Sequence, residues 1–207
     1  MSIKIRKAEV ADAPFLAEMI LQSSRAGKRF GIFDLIFLTN DNATILQNLE
    51  KLTQTTIKSR CHYTNFLVAE VDAICVGTLC TYEPRISTKQ SFLDALEEIG
   101  YSENTIAELE VLNVCDFNLN TRTLMFDFME EVDNYRDMGV LKALMQKSLL
   151  TARLKGYRIA QAIVEIGSLE TILYYKKLGF KEIEEKECDV YKEKFGRLGL
   201  ILLAIEF

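Results

Sequence analysis

The sequence predicts an α/β (α+β) fold, and three observations predict it. Thr123 to Phe180 reads as strand, loop, helix, strand, helix. Asn65 to Val71 and Ala73 to Tyr82 read as two paired strands joined at Asp72. Gly199 to Phe207, G-L-I-L-L-A-I-E-F, reads as a strongly apolar closing strand. Period-two and helical patterns therefore alternate along the chain, which suits a sheet covered by helices. Hydrophobic residues make up 49% and prolines number only two, which argues against wholesale disorder.

The elements follow in order. Ile3 and Ile5 alternate with Lys4, Arg6 and Lys7, a half-exposed first strand. Asp12-Ala13-Pro14 opens a helix, with Asp as cap and Pro in the first turn; Phe15, Leu16, Met19 and Ile20 give it one apolar face. Gly27 to Asn42 is a break with an apolar centre in which Phe33, Ile36 and Phe37 cap the core. Asn42 to Lys58 reads as a second helix, with Ile45, Leu46, Leu49 and Leu52 on one face. Gly77 inside the third strand marks a bulge or a close backbone approach. His62, the only histidine, reads as an ordinary surface or packing residue.

Residues 83–121 form an insertion between the third and fourth strands. It carries two helical patterns, one with Phe92, Leu93, Leu96 and Ile99, the other with Ile106, Leu109 and Leu112, and with Ser102 and Asn104 as caps. It either packs on the domain, or serves as a lid or a dimer contact. Thr123 to Val132 is the fourth strand. Strict alternation puts Leu124, Phe126 and Phe128 on one face, and Asp127 with Glu131 on the other face from Glu130. After Gly139, the residues Val140, Leu141, Leu144, Met145 and Leu149 recur at helical spacing, and Gly156 ends the helix where a positive φ is wanted. A fifth strand and a helix over Ser168–Leu178 follow. A sixth strand from Lys181 runs into a polar link. The whole chain, 1–207, reads as one domain with the insertion at 83–121.

Arg136-Asp137-Met138-Gly139 lies where a strand gives way to a helix. Unpaired N–H groups and the positive dipole end at a helix start attract phosphate, and glycine lets the ligand approach the backbone. Arg136-x-x-Gly139 at this junction, followed by E-I-G-S-L-E-T-I-L-Y-Y-K-K-L-G-F, resembles the pyrophosphate loop and the closing motif of the GNAT (Gcn5-related N-acetyltransferase) superfamily. Leu141, Ser168 and Thr171 depart from the family's usual Gly or Ala, Asn, and Ala.

The resemblance implies a mixed, mostly antiparallel sheet flanked by helices, with strands four and five splayed apart. It also implies an N-acyltransferase that moves an acetyl group from acetyl-coenzyme A directly to an amine. The cosubstrate is acetyl-CoA, with no metal. Val132, Arg136, Asp137, Met138, Gly139, Val140, Leu141, Lys142 and Ser168 are the expected coenzyme A contacts. A backbone N–H near the end of the fourth strand would serve as oxyanion donor. Tyr175 aligns with the tyrosine that protonates the leaving thiolate, and Asp127 and Glu131 are the candidate bases. The departures at Leu141, Ser168 and Thr171 keep a second reading in view, a non-catalytic acyl-CoA-binding module. A third is an interaction protein built on the inserted helices.

The formal net charge is −5, from 25 basic and 30 acidic residues. It argues against a nucleic-acid partner, which would want a basic face, and is compatible with a cationic acceptor. The expected partner is a small-molecule or peptide amine, with a homodimer as a further option and no nucleic acid. Five cysteines without a C-x-x-C fit reduced thiols of a cytoplasmic protein better than a disulfide framework or a zinc knuckle. The first ten residues alternate rather than form a signal core, and no apolar run approaches the ~20 residues of a membrane span.

Overall fold

The computed structural model describes residues 2–101, 105, 107, 109–110, 112–119 and 123–206. A seven-stranded sheet organises them. Its strands are β1 (Ile3–Lys7), β2 (Phe66–Val71), β3 (Ile74–Tyr82), β4 (Leu124–Glu131), β5 (Ile159–Glu165), β6 (Lys181–Glu187) and β7 (Gly199–Glu206), in the spatial order β1-β2-β3-β4-β5-β7-β6. Every neighbouring pair is antiparallel except β4 and β5, which run parallel. The mixed, mostly antiparallel sheet is thus the one expected.

Helices cover both faces. On one lie α1 (Ala13–Arg25), α2 (Ile32–Ile36), α3 (Asn42–Thr53), α4 (Lys89–Glu98) and the later α7 (Asp189–Phe195). Their core joins Leu16, Ile20, Phe33, Ile36, Leu49, Phe92 and Leu96 to Phe66, Cys80 and Phe128 of the sheet. Phe33 is fully buried, which stabilises by roughly 2–3 kcal/mol relative to an exposed ring. On the other face lie α5 (Val140–Leu154) and α6 (Leu169–Lys177), whose Val140, Leu144, Met145, Ile172 and Tyr175 pack with Val76, Leu79, Leu124 and Phe126.

The turn between β2 and β3 has Asp72 at φ 50° and Ala73 at φ 65°, the paired positive φ of a tight hairpin turn. Gly77 marks a close approach: a Cβ there would lie 2.7 Å from Val140 Cγ1 and 3.0 Å from the Glu130 carbonyl oxygen. Gly156, at φ 88°, ends α5 as expected.

Several expectations are corrected. Asp12 does not cap α1; its carboxylate accepts from Glu9 N at 2.7 Å and from Arg6 at 2.6 and 2.8 Å. A bidentate cation outcompetes a lone backbone N–H for an acidic side chain. The second long helix stops at Thr53 rather than Lys58, because the chain turns toward β2. The polar link after β6 contains α7. Cys115 and Cys188 are joined by a disulfide between the insertion and the residue before α7, while Cys61, Cys75 and Cys80 are free. The two partners stand 73 residues apart, so no local spacing announced them. The first insertion helix packs on the domain through Phe92, Ala95 and Leu96. Ser102, Asn104, Ile106 and Phe207 lie outside the described residues.

Candidate active site

β4 begins in register with β5, pairing Leu124 with Ala160, Met125 with Gln161 and Phe126 with Ala162. The pairing ends there. Immediately afterwards β4 bulges: between Cys80↔Asp127 and Thr78↔Glu130, β3 spends one residue where β4 spends two. Phe128 sits in the bulge at φ 44°, a left-handed conformation that a bulky side chain seldom adopts. Thr78 Oγ1 donates to its carbonyl at 3.2 Å, and its N–H donates to Asp127 Oδ1 at 2.9 Å. The bulge turns β4 away from β5 and opens a wedge between them.

The bulge also resets which side chains share a face. Phe128 leaves the side of Leu124 and Phe126 and packs with Phe33 and Phe66 on the other. Glu130 lies opposite Thr78, and Glu131 opposite Gly77. Cross-strand partners share a face, so Asp127 goes with Glu130, and Glu131 goes to the α5 side. The expected placement of Asp127 and Glu131 on one face is therefore wrong, because the alternation rule holds only without an extra residue.

Glu131 reaches the start of α5, where the Leu141 N–H favours its ionised form although burial pushes its pKa up overall. The loop before that helix is exposed. Asp137, at φ 66°, and Gly139, at φ 83°, are both left-handed, and a Cβ on Gly139 would meet nothing within 4 Å. Arg136 pairs with Asp133 at 2.8 Å, Met138 and Lys142 are exposed, and Val140 is buried under the loop. Val132 gives its N–H to the Val76 carbonyl at 2.9 Å and so anchors the loop rather than offering a donor. Ser168, before α6, has a buried Oγ with no partner among the described residues. An open backbone cradle at a helix start and an unsatisfied hydroxyl fit a pyrophosphate. The carboxylate of Glu131, beside the Leu141 N–H, opposes it.

α6 carries Tyr174 and Tyr175. Tyr175 is 3% exposed, edge-on to Phe180 with ring centroids 4.9 Å apart. Burial, the nearby charge of Asp127 and Tyr174 all push its pKa upward, so the phenol stays protonated. Tyr174 is half-buried and feels Glu131 instead; burial raises its pKa to about 12. Tyr175 thus feels the charge of Asp127 although it packs in the core on the α5 side, and Glu131 influences Tyr174 and lies at the helix start.

Two further residues join Asp127, and no motif marks either of them. Arg60, in the segment before β2, places Nη1 4.0 Å from Asp127 Oδ2. Its guanidinium lies 4.8 Å from the ring centre of Phe92 in the insertion. Tyr82, at the end of β3, stands beside it, and burial raises the phenol's pKa. Asp127 itself titrates above its ordinary value because burial outweighs the help of Arg60 and the Phe128 N–H. His62 is buried, with Nδ1 2.7 Å from Thr64 Oγ1, and holds the turn into β2, a packing role. No group of three or more His, Cys, Asp or Glu suited to a metal occurs among the described residues, and none of their helices is long and apolar enough to cross a membrane.

No protein-family model matches the chain, and no curated protein sequence does. Solved structures do. An N-acetyltransferase from Staphylococcus aureus Mu50 is 15% identical, with 98% of this chain and 100% of that one covered and a TM-score of 0.69. The PaiA N-acetyltransferase from Thermoplasma acidophilum, solved in complex with coenzyme A, is 15% identical over 100% of both chains, with a TM-score of 0.58. A GCN5-related N-acetyltransferase from Kribbella flavida is 17% identical, covering 99% of this chain and 98% of its own, with a TM-score of 0.59. The wedge between β4 and β5, the glycine-led start of α5 and these full-length likenesses agree: the chain has the GNAT (GCN5-related N-acetyltransferase) fold.

Proposed function

We propose that this protein is an N-acetyltransferase that moves an acetyl group from acetyl-coenzyme A directly to an amine. The observation that carries the reading is the wedge. β4 and β5 part after Phe126, Asp127 follows at that point, Tyr175 is near enough to feel its charge, and Gly139 leaves the start of α5 open. The backbone from Arg136 to Leu141, with Lys142 and Ser168, would hold the pyrophosphate, and the thioester would lie in the wedge.

In the reaction the amine nitrogen bonds to the acetyl carbon and the carbon–sulfur bond breaks. The amine gives up a proton and the departing thiolate takes one. Asp127 is the base of choice, since burial raises its pKa above the ordinary aspartate value. Tyr175 supplies the proton to sulfur. Glu131 is not proposed as base, because it lies at the helix start, where the pyrophosphate would sit. Holding both reactants in one wedge provides the proximity that such a direct transfer requires.

Glu131 favours a second reading, a coenzyme A-binding module with weak affinity or no turnover, since its carboxylate competes for the donors a phosphate would use. One assay separates the two. Release of free thiol from acetyl-CoA, followed against a panel of amines, rises above the amine-free rate if the protein is an acetyltransferase. Binding of coenzyme A by calorimetry with no thiol release from any amine leaves only the module.

A further inference from the structure

Three ion pairs allow a comparison. Arg6 meets Asp12 at 2.6 Å and Arg25 meets Asp34 at 2.6 Å, both closed in bidentate hydrogen bonds. Arg60 and Asp127 stop at 4.0 Å, beyond hydrogen-bond reach. Their side chains are 32% and 31% exposed, so solvent reaches both.

Arg60 is not loose. Its carbonyl accepts from Cys80 Sγ at 3.3 Å and from Asn65 Nδ2 at 3.4 Å, and its guanidinium rests on Phe92. Yet Nε is buried with no partner among the described residues. A buried guanidinium N–H left unpaired is costly, and a carboxylate is the group whose geometry satisfies it best. Asp127 spends Oδ1 on the Phe128 N–H and leaves Oδ2 facing the guanidinium. Arg60 and Asp127 therefore stand side by side as a cation and an anion that attract each other without a closed hydrogen bond, with Tyr82 also against the guanidinium.

We infer that the acceptor is a zwitterion, an amine with a carboxylate on the adjoining carbon, as in a free α-amino acid. Its carboxylate lies on Arg60 and its ammonium lies at Asp127, which is placed to take the proton that acetylation releases. This rests on the acetyl-transfer reading and narrows its substrate class. A peptide amino terminus fits less well, since an uncharged carbonyl replaces the carboxylate beside the amine. The insertion gains a role as well: Phe92 of α4 props the guanidinium in the cleft.

The test compares each L-amino acid with its amide and its decarboxylated amine, such as serine with serinamide and ethanolamine, as acceptors for acetyl-CoA. At least one amino acid should exceed both analogues by about 10²-fold or more in kcat/KM, because a site with an unpaired polar group rejects ligands that leave it unpaired. In Arg60→Gln that preference should collapse toward one, mainly through KM, and Arg60→Lys should restore part of it. Equal rates for acids and decarboxylated amines with the wild-type protein overturn the inference without need of a variant. If nothing is acetylated, calorimetry of the same compounds with coenzyme A-loaded protein decides. Amino-acid binding that Arg60→Gln removes sustains the zwitterion site while the acetyl-transfer reading fails; no binding overturns the inference too.

Discussion

Thr78 Oγ1 donates to the carbonyl of Phe128, 3.2 Å away, and so fixes the bulge that parts β4 from β5. Thr78 is fully buried. Thr78→Val keeps the shape and removes the donor, which leaves a buried carbonyl short of a partner. The expected loss is about 1–2 kcal/mol in urea unfolding. Because Phe128 is held in a strained conformation, the variant should also lose turnover beyond what its stability loss explains, measured well below its melting temperature. A stable variant with full activity would show that the wedge does not depend on this bond.

Glu131 gives a prediction of opposite sign. Its carboxylate faces the Leu141 N–H at the start of α5, where phosphate oxygens would sit. Glu131→Gln should tighten coenzyme A by roughly tenfold, about 1.4 kcal/mol, in calorimetry. Burial raises the Glu131 pKa, so lowering pH through that raised value neutralises it and strengthens binding in the wild type. The variant should lack that component of the pH dependence. Weaker binding in Glu131→Gln would mean that the carboxylate supports the loop rather than opposes the ligand.

Asp12 offers a test of the frame rather than the site. The Arg6 guanidinium holds its carboxyl below the usual carboxylate range. A depressed folded pKa contributes stability that is present above the unfolded value of about 3.9 and is lost as pH falls through the folded value. Asp12→Asn should cost about 2–3 kcal/mol near neutral pH, where the charge-assisted bonds are intact. The gap between variant and wild type should narrow as pH drops below 4. A gap independent of pH would point to packing instead of charge.

How far the sequence revealed this molecule depends on how local each cause is. The α5 start was legible because Gly139 and the apolar spacing of Val140, Leu144 and Met145 are short-range signals, and Tyr175 came with the motif in its own helix. The faces of β4 were not legible. One extra residue at Phe128 moves Glu131 across the sheet, and nothing in T-L-M-F-D-F-M-E-E-V marks it; the cause lies in β3 and in Thr78. Arg60 was missed for the same reason. It is one of many surface-like basic residues until β4, after the insertion, brings Asp127 to it and the insertion lays Phe92 beneath it. Cys115 and Cys188 met only through the tertiary fold.

Tyr175 and Tyr174 provide the sharpest test of the proposed chemistry, because they are neighbours with different surroundings. Tyr175 is buried against Phe180 and faces the charge of Asp127; Tyr174 is half-buried and faces Glu131. Consecutive helix positions differ by roughly 100° in direction, so only one of them can aim into the wedge. Tyr175→Phe retains the ring and its edge-on contact, and stability and coenzyme A affinity should hardly move. Loss of the proton donor should lower turnover by roughly 10²–10⁴, while Tyr174→Phe should cost far less. The pH profile adds a second readout. Burial and Asp127 keep the Tyr175 phenol protonated well past its ordinary value near 10, so kcat/KM should show no alkaline fall from this group below about pH 10. On the acid side activity should drop as Asp127 takes up a proton, at a pH above the ordinary aspartate value of about 3.9. Equal losses at the two tyrosines, or an unimpaired Tyr175→Phe with an accepted amine, would falsify the assignment of Tyr175 as the acid and leave protonation of the thiolate to solvent.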